Sequence, residues 1–242
     1  MLRAVSLDFG QTLASLDARY LADRLRGRGV DADEAAVERA IPTAWAKYDE
    51  IVKLGVSGHP WRELMAVLLD ESGVPERFRA DLVEWLWREQ PRKNLWRKPI
   101  RGMFRLCLDL ERGGVPFGVV SNSEGRLAEL VDEMGWADVI RVVVDSGRVG
   151  IEKPDKRIFQ LLAERLGTDI TEIVHVGDSF AADVSGALAA GMCAVWFTTQ
   201  DRLPEGCDPT RVKIAHDAPG VRRALEELGL VIPEPERPSA WP

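Results

Sequence analysis

The stretch Val5-Ser6-Leu7-Asp8-Phe9-Gly10-Gln11-Thr12-Leu13 decides how the rest of the chain is read. Arg3 to Leu7 is a short apolar run, β-branched at Val5, which is the pattern of a buried strand. It ends in Asp8, and Gly10 is expected to turn the backbone sharply. An acidic residue at the carboxyl end of a buried strand is poorly placed for a core. In open α/β sheets the crevice outside those strand ends is where ligands bind. Asp8 can equally cap the following turn. On this stretch alone both readings stand.

Size and composition narrow the possible classes. A chain of 242 residues holds one large domain or two modest ones. An apolar share of 45% with 29% charged residues is that of an ordinary globular protein. A net charge of -7 argues against a nucleic-acid partner, which usually needs a basic face. It leaves room for small anionic substrates, because a local cation can reverse the field. Cys107, Cys193 and Cys207 are odd in number and have no paired spacing, the usage of free thiols in a reducing compartment. Met1-Leu2-Arg3 runs straight into the first strand, and no apolar run approaches the roughly 20 residues of a membrane span. A cytoplasmic chain without a membrane partner is the expectation.

Outward from Leu13, helical periodicity takes over until about Trp96. Residues 17–28 carry Tyr20, Leu21 and Leu25 at helical spacing. Residues 31–54 open on an acidic turn, are interrupted at Pro42 and stop at Gly55. Residues 60–69 and 75–89 each begin with proline. Four helices with short connections predict an antiparallel bundle. Trp45, Trp61, Trp85, Trp87 and Trp96 concentrate there and are read as its core. From Pro99 strands and helices alternate. Strands are expected at 116–120, 139–144, 173–176 and 194–197, and helices at 100–112, 124–134, 155–166, 182–190 and 221–228. The proline-rich tail 229–242 is read as disordered. The fold class is therefore α/β: a Rossmann-like parallel sheet covered by helices on both faces, from residues 1–13 and 99–228. Residues 14–98 form an inserted four-helix cap, a natural lid for a site at Asp8.

Polar groups recur at the carboxyl ends of those strands. Asp8 follows the first strand, Ser121 and Asn122 the second, and Asp178 the fourth, with Asp183 five residues on. Lys153 lies in the loop before the 155–166 helix. All should converge on one rim. The set Asp8-Phe9-Gly10-Gln11-Thr12, Val120-Ser121-Asn122, Lys153-Pro154 and Gly177-Asp178-Ser179-Phe180-Ala181-Ala182-Asp183 resembles the four motifs of the haloacid dehalogenase-like hydrolase superfamily. The helical insertion resembles the cap of its subfamily I. The resemblance covers nearly the whole chain, and four motifs in order are far more specific than any one.

That resemblance implies a Mg²⁺-dependent phosphohydrolase acting on a small phosphorylated metabolite. It implies Asp8 as nucleophile, and Asp8, Asp178 and the main-chain carbonyl of Gly10 as metal ligands. Ser121, the backbone N–H groups near Asn122, and Lys153 are the implied phosphate-binding groups. Thr12, as a turn-stabilising hydroxyl, and Asp183, orienting Lys153 or a metal-bound water, stand behind them. Elementary electrostatics agrees, since a pair of carboxylates at 4 Å costs about 4 kcal/mol at an effective dielectric of 20, which a divalent cation removes. The bland readings are also defined: Lys153 on a solvated surface, Ser121 as a helix cap, and His175 as a packed, hydrogen-bonded core histidine. His59 and His216 carry no readable signal, and neither does oligomeric state.

One departure matters. Phosphatases of the family usually carry a second Asp, an acid and base, where this chain has Gly10. Such a group is typically worth about 10²–10⁴ in rate. Its loss leaves four readings: a phosphatase for good leaving groups or with an acid borrowed from the cap, a phosphonatase-like enzyme using a cap lysine such as Lys47 or Lys53, a metal-free dehalogenase, or a non-catalytic regulatory binding protein. The intact Gly177-Asp178…Asp183 turn disfavours the dehalogenase, whose carbon chemistry needs no Mg²⁺.

Overall fold

The protein, seen in a computed structural model, is described over residues 1–53 and 60–233. In chain order the strands are β1 (Ala4–Leu7), β2 (Ala14–Leu16), β3 (Trp96–Pro99), β4 (Phe117–Ser121), β5 (Val143–Asp145), β6 (Ile173–Gly177), β7 (Cys193–Phe197) and β8 (Val212–Ala215). Six of them form one sheet in the order β5-β4-β1-β6-β7-β8, with every pairing parallel. β1 lies inside it, with Leu7 opposite Val119 on one side and Val176 on the other. Ala4, Val5 and Leu7 have no exposed surface, as a strand covered on both faces requires. The chain divides into two compact units, Met1–Ser15 together with the part from Pro99 onward, and Leu16–Lys98.

Leu16–Lys98 is helical. It contains α1 (Ala18–Arg26), α2 (Glu34–Lys53), α3 (Trp61–Glu71) and α4 (Glu76–Glu89). Asp17 caps α1 by accepting from the Tyr20 N–H at 2.9 Å, and Asp33 accepts from Ala36 N–H at 3.0 Å before α2. The expected interruption at Pro42 does not occur, for α2 runs through it. An interior proline forfeits one helical bond and costs about 3 kcal/mol; here the buried face of Val37, Ala40 and Ala44 holds the helix together across it. The tryptophans divide. Trp61 and Trp96 are buried, whereas Trp85 and Trp87 are half-exposed and roofed by arginines. Arg24 and Arg28 sit 4.7 and 5.2 Å from the Trp85 ring, and Arg62 4.7 Å from Trp87. They cover the bundle's flank as cation–π pairs and do not fill its centre.

The sheet unit adds α5 (Met103–Arg112), α6 (Leu127–Glu133), α7 (Ser146–Val149), α8 (Lys156–Leu166), α9 (Gly186–Ala190) and α10 (Ala218–Glu227). Ile158, Phe159 and Leu162 of α8 pack with Val120, Val144, Ile173 and Ala194 from the strands, each such side chain contributing about 1.5–3 kcal/mol. Cys107, Cys193 and Cys207 are free thiols, and burial pushes the Cys107 thiol up to about 12, so it stays protonated. Three expectations need correction. β8 has no counterpart among the expected strands, because Lys213 breaks its apolar pattern; an edge strand tolerates that residue. The 182–190 helix is a π-helical turn, Phe180–Ser185, leading into the short α9. The tail is ordered at its start, where Leu230 and Ile232 are buried; residues 234–242 lie outside the described residues. No described helix is long and apolar enough to cross a membrane.

Candidate active site

The parallel sheet brings three polar strand ends, and one acid from the turn behind them, to one edge. Asp8 follows β1, Ser121 ends β4, Asp178 follows β6, and Asp183 returns from the π-turn behind it. Ser121 Oγ donates to Asp8 Oδ1 at 2.8 Å, and Lys153 Nζ donates to the same oxygen at 2.5 Å. Lys153 Nζ also donates to Asp183 Oδ1 at 2.5 Å. Asp8, Ser121, Lys153 and Asp183 are all buried; Asp178 is half-exposed. Lys153 is therefore a buried ammonium shared by two carboxylates, and the solvated-surface reading is excluded.

Lys153 reaches that position because its backbone is clamped. Its N–H donates to Asn122 Oδ1 at 2.8 Å, and its carbonyl accepts from Asn122 Nδ2 at 3.0 Å. Both ends of the Asn122 side-chain amide thus hold Lys153, whereas the expectation there concerned the backbone N–H groups near Asn122, which these bonds do not involve. Ser121 points at Asp8 and is not a helix cap. The turn after Asp8 also differs from expectation. Gln11, with φ 55, takes the left-handed conformation, and Gly10 is not among the glycines with positive φ. Main-chain bonds close that turn, from Leu13 and Ala14 N–H to Phe9 O at 2.8 and 3.0 Å. The Thr12 hydroxyl is buried with no partner among the described residues, so it does not stabilise the turn by hydrogen bonding. Gly177 is required by space, because a Cβ there would lie 2.5 Å from Asp183 Cβ and Oδ2.

Burial raises the Asp8 carboxyl above its ordinary range, against the pull of Lys153. Burial raises Asp178 further, with Asp183 and Asp8 adding like-charge repulsion. Burial would raise Asp183 too, but Lys153 and the hydrogen bond from His175 outweigh it and hold it well below the usual carboxylate range. Burial alone would lower Lys153, and the charges of Asp183 and Asp8 overcome it, so the ammonium is kept. The site is thus one ammonium, Lys153, shared by Asp183 and Asp8, beside Asp178, whose charge is poorly compensated.

Oxygens of Asp8, Asp178 and Asp183 lie within 4.8 Å of one another. Two bare carboxylates at that separation repel by about 3–4 kcal/mol at an effective dielectric of 20. Asp183 is already committed, with Oδ1 to Lys153 and His175 and Oδ2 to the Ser179 N–H at 2.9 Å. Asp8 and Asp178 remain as anionic oxygen donors, a set that fits a hard divalent cation such as Mg²⁺.

Three groups escaped the sequence reading. Asp145 ends β5 and accepts from Gly125, Gly147 and Leu127 N–H groups at 3.0, 2.9 and 2.9 Å, fixing the loop that follows Asn122. It carried the same signal as Asp8, an acid ending a strand. Trp196 Nε1 donates to the Asp178 carbonyl at 2.8 Å, and nothing in its sequence context marks it. Ser6 Oγ lies 2.7 Å from His175 Nδ1, inside an apolar strand. His175 is the packed, bonded histidine expected. His216 Nδ1 donates to Thr198 O at 2.6 Å and Lys47 Nζ to Glu50 at 2.9 Å, while the side chains of Lys53 and His59 lie outside the described residues.

Comparison with known proteins agrees with this geometry. Over 168 residues the chain is 33% identical to phosphoserine phosphatase of Thermus thermophilus, covering 67% of this chain and 66% of that protein. It is 28% identical over 200 residues to glyceraldehyde 3-phosphate phosphatase of Methanopyrus kandleri, covering 81% and 83%. Among solved structures, the HAD-hydrolase YfnB from Bacillus subtilis bound to magnesium superposes with a TM-score of 0.68 at 19% identity, covering 95% and 99%, a likeness of fold. The family model described as haloacid dehalogenase-like hydrolase matches residues 3–191, a span that includes Asp8, Ser121, Lys153, Asp178 and Asp183. With its motifs gathered at one edge of the sheet, this chain belongs to the haloacid dehalogenase-like hydrolase family.

Proposed function

We propose that this protein is a Mg²⁺-dependent phosphohydrolase of small phosphorylated metabolites, with Asp8 as its nucleophile. The observation that carries the reading is the Asp8 carboxylate, held at Oδ1 by Ser121 and Lys153 and facing Asp178. The phosphoserine and glyceraldehyde 3-phosphate phosphatases act on chemically unlike substrates, which supports the phosphoryl group as the common element. Mg²⁺, held by Asp8, Asp178 and the Gly10 carbonyl, would supply positive charge against the phosphoryl oxygens.

The chain's own groups do the rest. An Asp8 oxygen attacks phosphorus as the bond to the leaving oxygen breaks, giving an aspartyl-phosphate. Lys153 and Ser121 stabilise charge on the transferring group, the main demand of phosphoryl transfer. With glycine at position 10, the leaving oxygen takes its proton from water, which favours substrates whose leaving groups need little help. Water then attacks phosphorus, the Asp8–phosphorus bond breaks, and inorganic phosphate departs with the water's proton passing to solvent. A phosphate-release screen over acyl, aryl and alkyl phosphates, with and without Mg²⁺, tests this. Release that needs Mg²⁺ and vanishes in Asp8→Asn is expected; turnover surviving Asp8→Asn refutes the assignment. Gly10 favours one second reading, a binding protein, which predicts metal binding without turnover across the whole panel.

A further inference from the structure

Ser6 and His175 face each other across the β1–β6 pairing, in register. Both are completely buried, among Ala4, Val5, Leu7, Ile173, Val174 and Val176. A serine and a histidine in such a place cost free energy unless their polar atoms are bonded, and here every polar atom of the pair's side chains is engaged. His175 Nδ1 is 2.7 Å from Ser6 Oγ, and Nε2 is 3.1 Å from Asp183 Oδ1. Phe159 meets the ring edge-on, with centroids 5.1 Å apart.

The partners settle the direction of these bonds. Ionised Asp183 only accepts, so His175 Nε2 carries the hydrogen; burial lowers the ring's pKa and keeps it neutral, so Nδ1 is the acceptor and Ser6 donates. Asp183 is held at three points: by His175 and Lys153 on Oδ1 and by the Ser179 N–H on Oδ2. Remove the histidine donor, and among the described residues Oδ1 is held by Lys153 alone, so the carboxylate can turn about Oδ2 together with the ammonium. Lys153, which Asp183 shares with Asp8, then shifts toward the nucleophile.

We infer that His175, locked by Ser6, is a positioning residue that fixes Asp183 and, through it, sets how the Lys153 ammonium is divided between Asp183 and Asp8. Its effect on turnover rests on the phosphohydrolase reading; its effect on Lys153 does not. Outer partners of this kind typically change activity or affinity by about 10–100-fold.

Two substitutions separate positioning from packing. Both remove the ring that packs on Phe159. His175→Gln carries an amide donor at the reach of Nε2 and keeps the bond to Asp183. His175→Asn reaches only Ser6. The expected result is a similar fall in Tm for both, with kcat about 10–100-fold lower in His175→Asn at nearly constant KM and largely restored in His175→Gln. Equal losses of kcat would overturn the inference. The second readout needs no turnover: the side-chain ¹⁵N–H signal of Lys153 in the full chain without substrate. It is expected to be protected in the wild type and in His175→Gln, and broadened in His175→Asn; an unchanged signal in His175→Asn overturns the inference. Should His175→Asn fail to fold, Ser6→Ala keeps the ring and releases it on one side. A weaker Lys153 signal is then expected, and an unaltered one counts against the role. If no phosphate ester is turned over at all, the phosphohydrolase reading fails while the Lys153 signal still decides this one.

Discussion

Replacing Lys153 by methionine keeps an unbranched stem that ends where Cε lies and removes the terminal ammonium, so the variant tests chiefly that group's electrostatic work. Lys153 Nζ is 2.5 Å from both Asp8 Oδ1 and Asp183 Oδ1, and all three side chains are at least nine-tenths buried. Without it, among the described residues, Asp8 has no counter-charge within contact distance, and Asp183 keeps only His175 and Ser179. Removing one partner of a buried pair costs about 3–5 kcal/mol, and repulsion between carboxylates within 4.8 Å is of the same order. For a chain of this size 1 kcal/mol shifts Tm by about 2–4 °C, so a fall of about 6–20 °C is expected at neutral pH without divalent cation. The Lys153 pKa is raised, so its contribution is complete at neutral pH and is lost only as pH climbs through its folded pKa, beyond the usual lysine range. Asp183 is depressed in the wild type, and its contribution is lost as pH falls below the ordinary carboxylate range. In Lys153→Met the carboxylates protonate more readily, so the Tm gap to the wild type should narrow on acidification from pH 8 to pH 5. Mg²⁺ should raise the variant's Tm more than the wild type's, because it meets more uncompensated charge. Differential scanning calorimetry at pH 8, 6.5 and 5, with and without Mg²⁺, measures all three. A Tm deficit below about 2 °C, less than 1 kcal/mol, or one indifferent to both pH and Mg²⁺, would refute the argument.

Other substitutions probe the rest of the site. Gly10→Asp should raise kcat/KM on alkyl phosphates by up to about 10²–10⁴ and much less on p-nitrophenyl phosphate, because only the poor leaving group needs an acid. Gly10 is not among the positive-φ glycines, so no fall in Tm from backbone strain should accompany the change, and equal gains on both substrates would contradict the reasoning. Gly177→Ala drives a methyl into Asp183; a loss of about 1–3 kcal/mol by urea denaturation is expected from overpacking, and an unchanged midpoint would refute the close fit. Asn122→Ala removes both bonds that hold the Lys153 backbone, at about 1 kcal/mol each. Its kcat should fall while Mg²⁺ affinity by calorimetry stays near the wild-type value; the reverse pattern would place Asn122 at the metal.

Much of this protein is legible in its sequence because its chemistry is local. An apolar run ending in Asp8, a Gly177-Asp178 turn and a lysine before a proline are each written in a few adjacent residues, and parallel strands then oblige their ends to meet. The alternation of strand and helix beyond Pro99 likewise comes from short-range periodicity. What the one-dimensional pattern could not carry are pairings between residues far apart in the chain. The side chain of Asn122 has no readable partner until the fold sets it against the Lys153 backbone, 31 residues away. Ser6 is an unremarked hydroxyl until β1 and β6 come into register and place His175 opposite it. The left-handed residue of the first turn is Gln11 and not the glycine beside it, since hydrogen bonds to Phe9 O dictate the backbone there more strongly than intrinsic preference. Residue types alone determined which groups could do chemistry; the shared edge of a parallel sheet decided which of them bond to one another, because a hydrogen bond depends on distance in space and not on separation along the chain.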